Sequence, residues 1–301
     1  MKIGYPCINW TIGCKGDRTF RLKSYSEERL IGTARNNLDC LLQMLRFNVE
    51  HNILFFRITS DLIPFASHAV CQFDWLSYFR REFEEIGSYI NHHDIRISMH
   101  PGQFTVLNTP DPSILENSNR ELLYHVQVLN AMGLDSTVKV QLHVGGVYGD
   151  RREAILRFIE RYRSLDERIK ARLVIENDER NYNLSDCLRI HADTGIPVLF
   201  DVFHHELRNS GEGLDKAFAL FTRTWKAEDG IPMVDYSHQG TAILNARHSE
   251  SIAVERFERF LEQTKPFDYD VMLEIKDKEK SVLKVLPILM RDPRFRSRSR
   301  V

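Results

Sequence analysis

His100, His143, Glu176, Asp201, His204, Asp235, His248 and Glu274 all fall at or just after the ends of short β-branched runs. Imidazoles and carboxylates gathered in one place are divalent-metal ligands. So many carboxylates could not be buried together without cations to neutralise them. A mixed nitrogen and oxygen donor set without thiolate suits zinc, manganese or iron and does not choose among them. Eight ligands exceed what one ion takes, so two or three ions are implied. Ions held this way suit hydrolysis of a phosphate ester, acidifying a water and neutralising the phosphate and leaving oxygens. Glu176 and Glu274, far apart in sequence, are natural two-ion ligands, and Asp201-x-x-His204 can serve two ions from one strand end. Lys276 lies two residues beyond Glu274 and shares its side of the chain. It reads either as an ion pair with a ligand carboxylate or as a phosphate contact.

The runs that must position these residues are 3–6, 55–58, 96–100, 140–143, 173–176, 198–201, 233–235 and 271–274. Amphipathic stretches separate them, including Leu38, Leu41, Leu42, Leu45 and Val49 at helical spacing after a Ser26-Glu27-Glu28 start. Eight strand–helix units predict a TIM (β/α)8 barrel, whose active sites lie at the C-terminal strand ends. The 301 residues fit one such domain spanning 1–301. Long loops follow the first three strands and suit a large substrate. No apolar run is long enough to span a bilayer and no signal segment opens the chain, so a cytoplasmic protein is expected. The five cysteines are odd in number and widely spaced, so neither a disulfide nor a thiolate zinc site is expected. A net charge of −1 gives no global attraction to nucleic acid, although cations at the strand ends would change the local field. The basic tail, about 291–301, reads as a solvated terminus or as an arm touching phosphate.

The segments Gly4-Tyr5-Pro6-Cys7-Ile8-Asn9, Phe56-Arg57-Ile58 with Leu62-Ile63-Pro64-Phe65-Ala66-Ser67-His68, His100-Pro101-Gly102-Gln103, Gln141-Leu142-His143-Val144-Gly145-Gly146, Ile175-Glu176-Asn177-Asp178, Phe200-Asp201-Val202-Phe203-His204-His205 and Met272-Leu273-Glu274-Ile275-Lys276-Asp277-Lys278-Glu279 occur in order along nearly the whole chain. As an ordered set they resemble the UV damage endonuclease family (UvdE/UvsE), and more broadly the endonuclease IV-like barrels. The resemblance implies a metal-dependent DNA-repair nuclease, commonly manganese-supported, with magnesium, cobalt or zinc as alternatives. It would nick damaged double-stranded DNA immediately 5′ to pyrimidine dimers and 6-4 products and leave a 3′-hydroxyl, opening an alternative excision repair route. Glu176, Glu274 and Lys276 would serve the chemistry. Gln103 and Phe104 would probe the vacated stack, and Tyr5 and Asn9 would line the lesion pocket. An apolar wedge beside an amide is suited to such a gap, although Phe104 also reads as an aromatic packed on the barrel rim. A single domain acting on a duplex would work as a monomer.

The chain departs from the family pattern at the seventh strand. Met233 and Asp235 stand where a lysine and a histidine ligand are often found, and an aspartate there favours a harder ion. Phe104 stands where tyrosine is common. Two other functions fit the same barrel. A sugar isomerase or epimerase also arrays Glu, Asp and His at strand ends, against which stand the ligand count and the Gln103-Phe104 loop. A non-catalytic damage sensor would bind without nicking.

Overall fold

The computed structural model describes residues 1–239 and 247–297. The strands are β1 (Ile3–Pro6), β2 (Phe55–Ile58), β3 (Arg96–Met99), β4 (Lys139–His143), β5 (Leu173–Glu176), β6 (Val198–Asp201), β7 (Met233–Tyr236) and β8 (Asp270–Leu273). They close in sequence order into one barrel, every pairing parallel, with β1 joined to β8. Nearly every strand residue is buried, as a parallel sheet covered on both faces requires. The TIM barrel is therefore present, with strand bounds within one residue of the sequence-based runs. Its closure needs a glycine in β1: a Cβ on Gly4 would sit 1.9 Å from the Phe55 carbonyl oxygen of the neighbouring strand.

The helices start where the sequence places cap residues. Ser26 accepts from the Arg29 amide to open Glu27–Glu50. Asp111 accepts from Ser113 and Ile114, Asp150 from Glu153, and Asn183 with Asp186 forms a capping box. Each such cap contributes about 1 kcal/mol. These caps end the loops that leave β3, β4 and β5, so they also fix the chain on the side where the strands terminate.

Alternation along the strands sorts side chains between barrel and helices. Arg57, Gln141, Glu176, Asp235 and Glu274 meet one another inside the upper barrel. Arg96 and Asp270 pair at 3.1 Å on the floor. Tyr5 and its register partner Phe56 face the other way, ring centroids 5.2 Å apart, toward the helix Glu27–Glu50.

Two expectations are overturned here. Cys14 and Cys40 form a disulfide, tying the loop after β1 to the helix Glu27–Glu50, while Cys7, Cys71 and Cys187 are free. Sequence spacing hid the pair because the contact is made by the fold: their Cα atoms lie 5.8 Å apart across 26 residues. The tail through residue 297 is also anchored rather than loose. Arg294 donates to the carbonyls of Thr264, Phe267 and Leu261, and the Arg296 amide donates to the carbonyl of Met1. This pins it at the N-terminal ends of β1 and β8, opposite the site. Residues 298–301 of the tail lie outside the described part. No described helix is long and apolar enough to cross a membrane.

Candidate metal centre

The C-terminal ends of the strands converge on three overlapping groups of ligand atoms, each group within 4.8 Å: His100–His143–Glu176, Glu176–Asp201–His204 and Asp201–Asp235–Glu274. Register alone aligns some of them, since His143 pairs with Glu176 and Asp201 with Asp235 across neighbouring strands. Glu176 is the hub. Its Oε2 lies 3.4 Å from His100 Nε2 and its Oε1 lies 3.2 Å from His204 Nδ1. His248 Nε2 faces Glu274 Oε2 at 3.6 Å from the half-exposed rim. Of the residues expected as ligands, all eight are thus brought to one mouth.

Neighbouring groups hold these side chains in place. Asn177 exchanges hydrogen bonds with the Asp201 backbone, and its own carbonyl oxygen sits 3.0 Å from His204 Nδ1. Asp201 Oδ1 caps the short helix Val202–Leu207 by accepting from the His204 amide at 2.6 Å, which leaves Oδ2 buried without a hydrogen-bond partner. The His143 Nδ1 is likewise buried and unpartnered. Ser60, itself beside His125 Nε2, donates to the carbonyl of His100.

The charges explain what such a centre wants. Burial pushes the Glu176 carboxyl up, but His143 and the hydrogen bonds from His100 and His204 outweigh it and hold it well below the usual carboxylate range. Burial likewise opposes Glu274, yet Arg57 pulls it down to about 2. Asp201 goes the other way: burial, together with the charges of Glu176 and Glu274, raises it to about 8 despite His204. Burial disfavours a charged His204, but Asp201 and Glu176 raise it to about 11. Burial lowers His100 and His248, which favours neutral, ligating imidazoles. The unpartnered Asp201 Oδ2 and His143 Nδ1, in a cysteine-free donor set, fit divalent cations.

Sequence reasoning missed Arg57, Gln141 and Glu179. Arg57 is buried; its Nη2 donates to both oxygens of Asp235 at 2.7 Å and its Nη1 to Glu274. Gln141 Nε2 donates to Glu176 and Asp235, each at 2.8 Å. Both sit one alternation below the strand ends, so a reading confined to the ends passes over them. Glu179 Oε2 lies 3.5 Å from His204 Nε2 and could have been found as the second carboxylate, after Asp178, on the loop following Glu176.

The mouth, about 380 Å³, is lined by Cys7, Arg57, Gln103, Glu274, Lys276 and Lys278 among others. Lys276 pairs with the exposed Glu250 at 2.5 Å rather than with a ligand carboxylate. A second groove of about 640 Å³ runs beside it from Gln103 and Phe104 to Tyr148 and Arg180. Phe104 is 83% exposed, so it does not pack on the rim. The loop beneath it is fixed by Arg161 donating to the Leu107 carbonyl and Asn108 donating to the Gly146 carbonyl, each at 2.8 Å.

Tyr5 and Asn9 are not on this surface. Tyr5 is fully buried, its hydroxyl donating to Asn48 Oδ1 at 2.6 Å and accepting from Asn9 Nδ2 at 2.8 Å. Asn9 Oδ1 accepts from the Thr11 and Ile12 amides. Strand alternation turns Tyr5 outward, so the pair braces the loop after β1 instead of lining a lesion pocket.

The model of the family described as UV-endonuclease UvdE matches residues 1–296. A UV DNA damage endonuclease of Clostridium perfringens is 40% identical over 288 residues, covering 95% of this chain and 70% of that protein. One from Bacillus mycoides is 32% identical over 266 residues, 88% of this chain and 84% of the relative. The crystal structure of SacUVDE superposes with a TM-score of 0.92 at 43% identity, covering 96% of this chain and 98% of that one. Endonuclease IV from Thermus thermophilus and a D-psicose 3-epimerase from Clostridium cellulolyticum each give a TM-score of 0.57, at 14% and 12% identity. The first pairing covers 83% of this chain and 92% of its counterpart, the second 97% and 91%. At that distance they speak to the barrel alone.

Proposed function

The chain belongs to the UV-endonuclease UvdE family, and from that premise we propose that it is a divalent-metal-dependent endonuclease acting on ultraviolet-damaged duplex DNA. In this reading it cuts the phosphodiester immediately 5′ to pyrimidine dimers and 6-4 products and leaves a 3′-hydroxyl for a polymerase. It works as a monomer, one domain across residues 1–301, in the cytoplasm at the nucleoid. The observation that carries the reading is the buried His–Glu–Asp cluster directly beneath the exposed Gln103-Phe104 loop.

His100, His143, Glu176, Asp201 and His204 would hold the ions, with manganese the first candidate. The ions would supply an acidified water for attack and neutralise the phosphate oxygens. Glu176, shared by two ligand groups, sets the spacing between them. Glu274, with His248 beside it, faces the mouth where a phosphate would enter. Lys278 puts positive charge on that rim beside the Lys276–Glu250 pair, so the backbone would be drawn to it although the chain as a whole is close to neutral. Phe104 and Gln103 would occupy the space left when the damaged bases leave the stack, which costs less at a lesion than at intact pairs.

A nicking assay on end-labelled duplex tests this, irradiated or not, in manganese, with Glu176→Gln beside the native chain. Cuts that depend on irradiation, map 5′ to adjacent pyrimidines and vanish in the variant are expected. Intact DNA in manganese, magnesium, cobalt and zinc alike would overturn the nuclease, and retained binding to the irradiated duplex would then identify a sensor.

A further inference from the structure

The three ligand groups differ in what already fills them. Among the described residues, His100–His143–Glu176 and Glu176–Asp201–His204 enclose no lysine or arginine; His143 Nδ1 in the first is buried without a hydrogen-bond partner, as is Oδ2 of Asp201, a residue the second shares with the third group. Asp201–Asp235–Glu274 is different, because the Arg57 guanidinium bridges two of its three carboxylates. Nη2 spans both oxygens of Asp235 at 2.7 Å, and Nη1 donates to Glu274 Oε1. Gln141 Nε2 adds another donor to Asp235 Oδ2 at 2.8 Å. A carboxylate whose two oxygens both face N–H donors has little left to offer a cation.

Arg57 is also unable to leave easily. It is rooted in the barrel wall, paired in register with Pro6 on one side and Ser98 on the other. It is 2% exposed. Withdrawing it would leave Asp235, itself fully buried, without its ion-pair partner. An ion seated between Asp235 and Glu274 would have to share that space with a fixed positive charge.

We propose that Arg57 stands in for a third cation. The centre holds two divalent ions, at His100–His143–Glu176 and Glu176–Asp201–His204, and Asp235 is a carboxylate held by Arg57 and Gln141 rather than a ligand. Since Arg57 also lines the mouth, it is a permanent positive charge facing the entering phosphate, one that chelators cannot remove. This assignment rests on the metal-dependent reading above and goes further by fixing the ion count and the residue that limits it.

The test is the manganese content per chain of the DNA-free full-length protein after dialysis and gel filtration, measured by plasma mass spectrometry. Two ions are expected in the native chain and two in Asp235→Asn. Folded Arg57→Ala, with its fold checked by circular dichroism, is expected to take a third. Three ions in the native chain, loss of one in Asp235→Asn, or a count that stays at two in folded Arg57→Ala would each overturn the assignment. Should Arg57→Ala not fold, the native and Asp235→Asn counts decide by themselves. Absence of any bound ion would overturn the metal-dependent reading, and this inference with it.

Discussion

A cation bound by Asp201 and His204, as proposed, would have to displace their protons. Asp201, raised by burial and by Glu176 and Glu274, holds its proton up to about pH 8, and His204, raised by Asp201 and Glu176 against its burial, up to about pH 11. Ligation needs both groups deprotonated, so binding expels protons and affinity climbs with pH. Calorimetric titration with manganese should therefore show log K rising by up to about two units per pH unit below pH 8 and about one above it. His100 and His248 add nothing to this slope near neutrality, because burial already keeps them neutral. An affinity flat between pH 6 and 8 would refute a site at Asp201 and His204. Phe104 makes a separate prediction. Its 83% exposure on a braced loop leaves most of the ring open to a partner, and base–aromatic stacking is worth about 1–3 kcal/mol. Phe104→Ala should weaken binding to irradiated duplex roughly 5- to 150-fold by that measure, with manganese content unchanged. Equal affinities would remove Phe104 from the DNA interface.

The elements explain what the sequence could and could not disclose. Strand ends were readable because a carboxylate such as Glu176 or Asp201 closes a run of β-branched residues, and period-two alternation then aims it inward. The same alternation, applied to Tyr5, places it with Phe56 against the outer helix, so its misplacement came from neglecting parity rather than from missing information. Arg57 was legible as a charged residue inside an apolar run; what it pairs with depends on the ends of β7 and β8, 178 and 217 residues away in the chain. The Cys14–Cys40 bond was hidden for the same reason. It closes a loop with a sequence separation of 26 just beyond Asn9, Trp10 and the turn leading from the mouth. Chain-entropy arithmetic gives such a crosslink about 3 kcal/mol. Cys14→Ala, at a half-buried position that tolerates the smaller side chain, should lower urea-unfolding stability by about that amount, and mild reduction should do the same to the native chain. Identical midpoints for the reduced and oxidised forms would show that the loop is held by Asn9, Tyr5 and Glu279 instead, through the hydrogen bonds they make with the residues around it.

At the scale of the whole molecule, the barrel separates two kinds of positive charge. The mouth carries Lys276 and Lys278 beside the His–Glu–Asp cluster, while Arg294 and Arg296 sit on the opposite floor, where β1 and β8 begin. A basic tail invites assignment to DNA, yet Arg294 spends its guanidinium on the carbonyls of Leu261, Thr264 and Phe267, on Asp292 and on the face of Tyr269. Hydrogen bonds to a charged group contribute about 1.5–3 kcal/mol each, and carbonyls left without a partner cost more than the bond alone. Arg294→Ala should therefore destabilise the fold by roughly 2–4 kcal/mol while leaving duplex affinity untouched. The salt dependence of binding separates the two roles, since each phosphate contact removed lowers the slope of log K against log salt by about 0.9. An unchanged slope for Arg294→Ala, beside a shallower one for Lys278→Ala, would assign the tail to the floor of the barrel and phosphate contact to the mouth. A shallower slope for Arg294→Ala would mean that DNA reaches around the molecule to its far face.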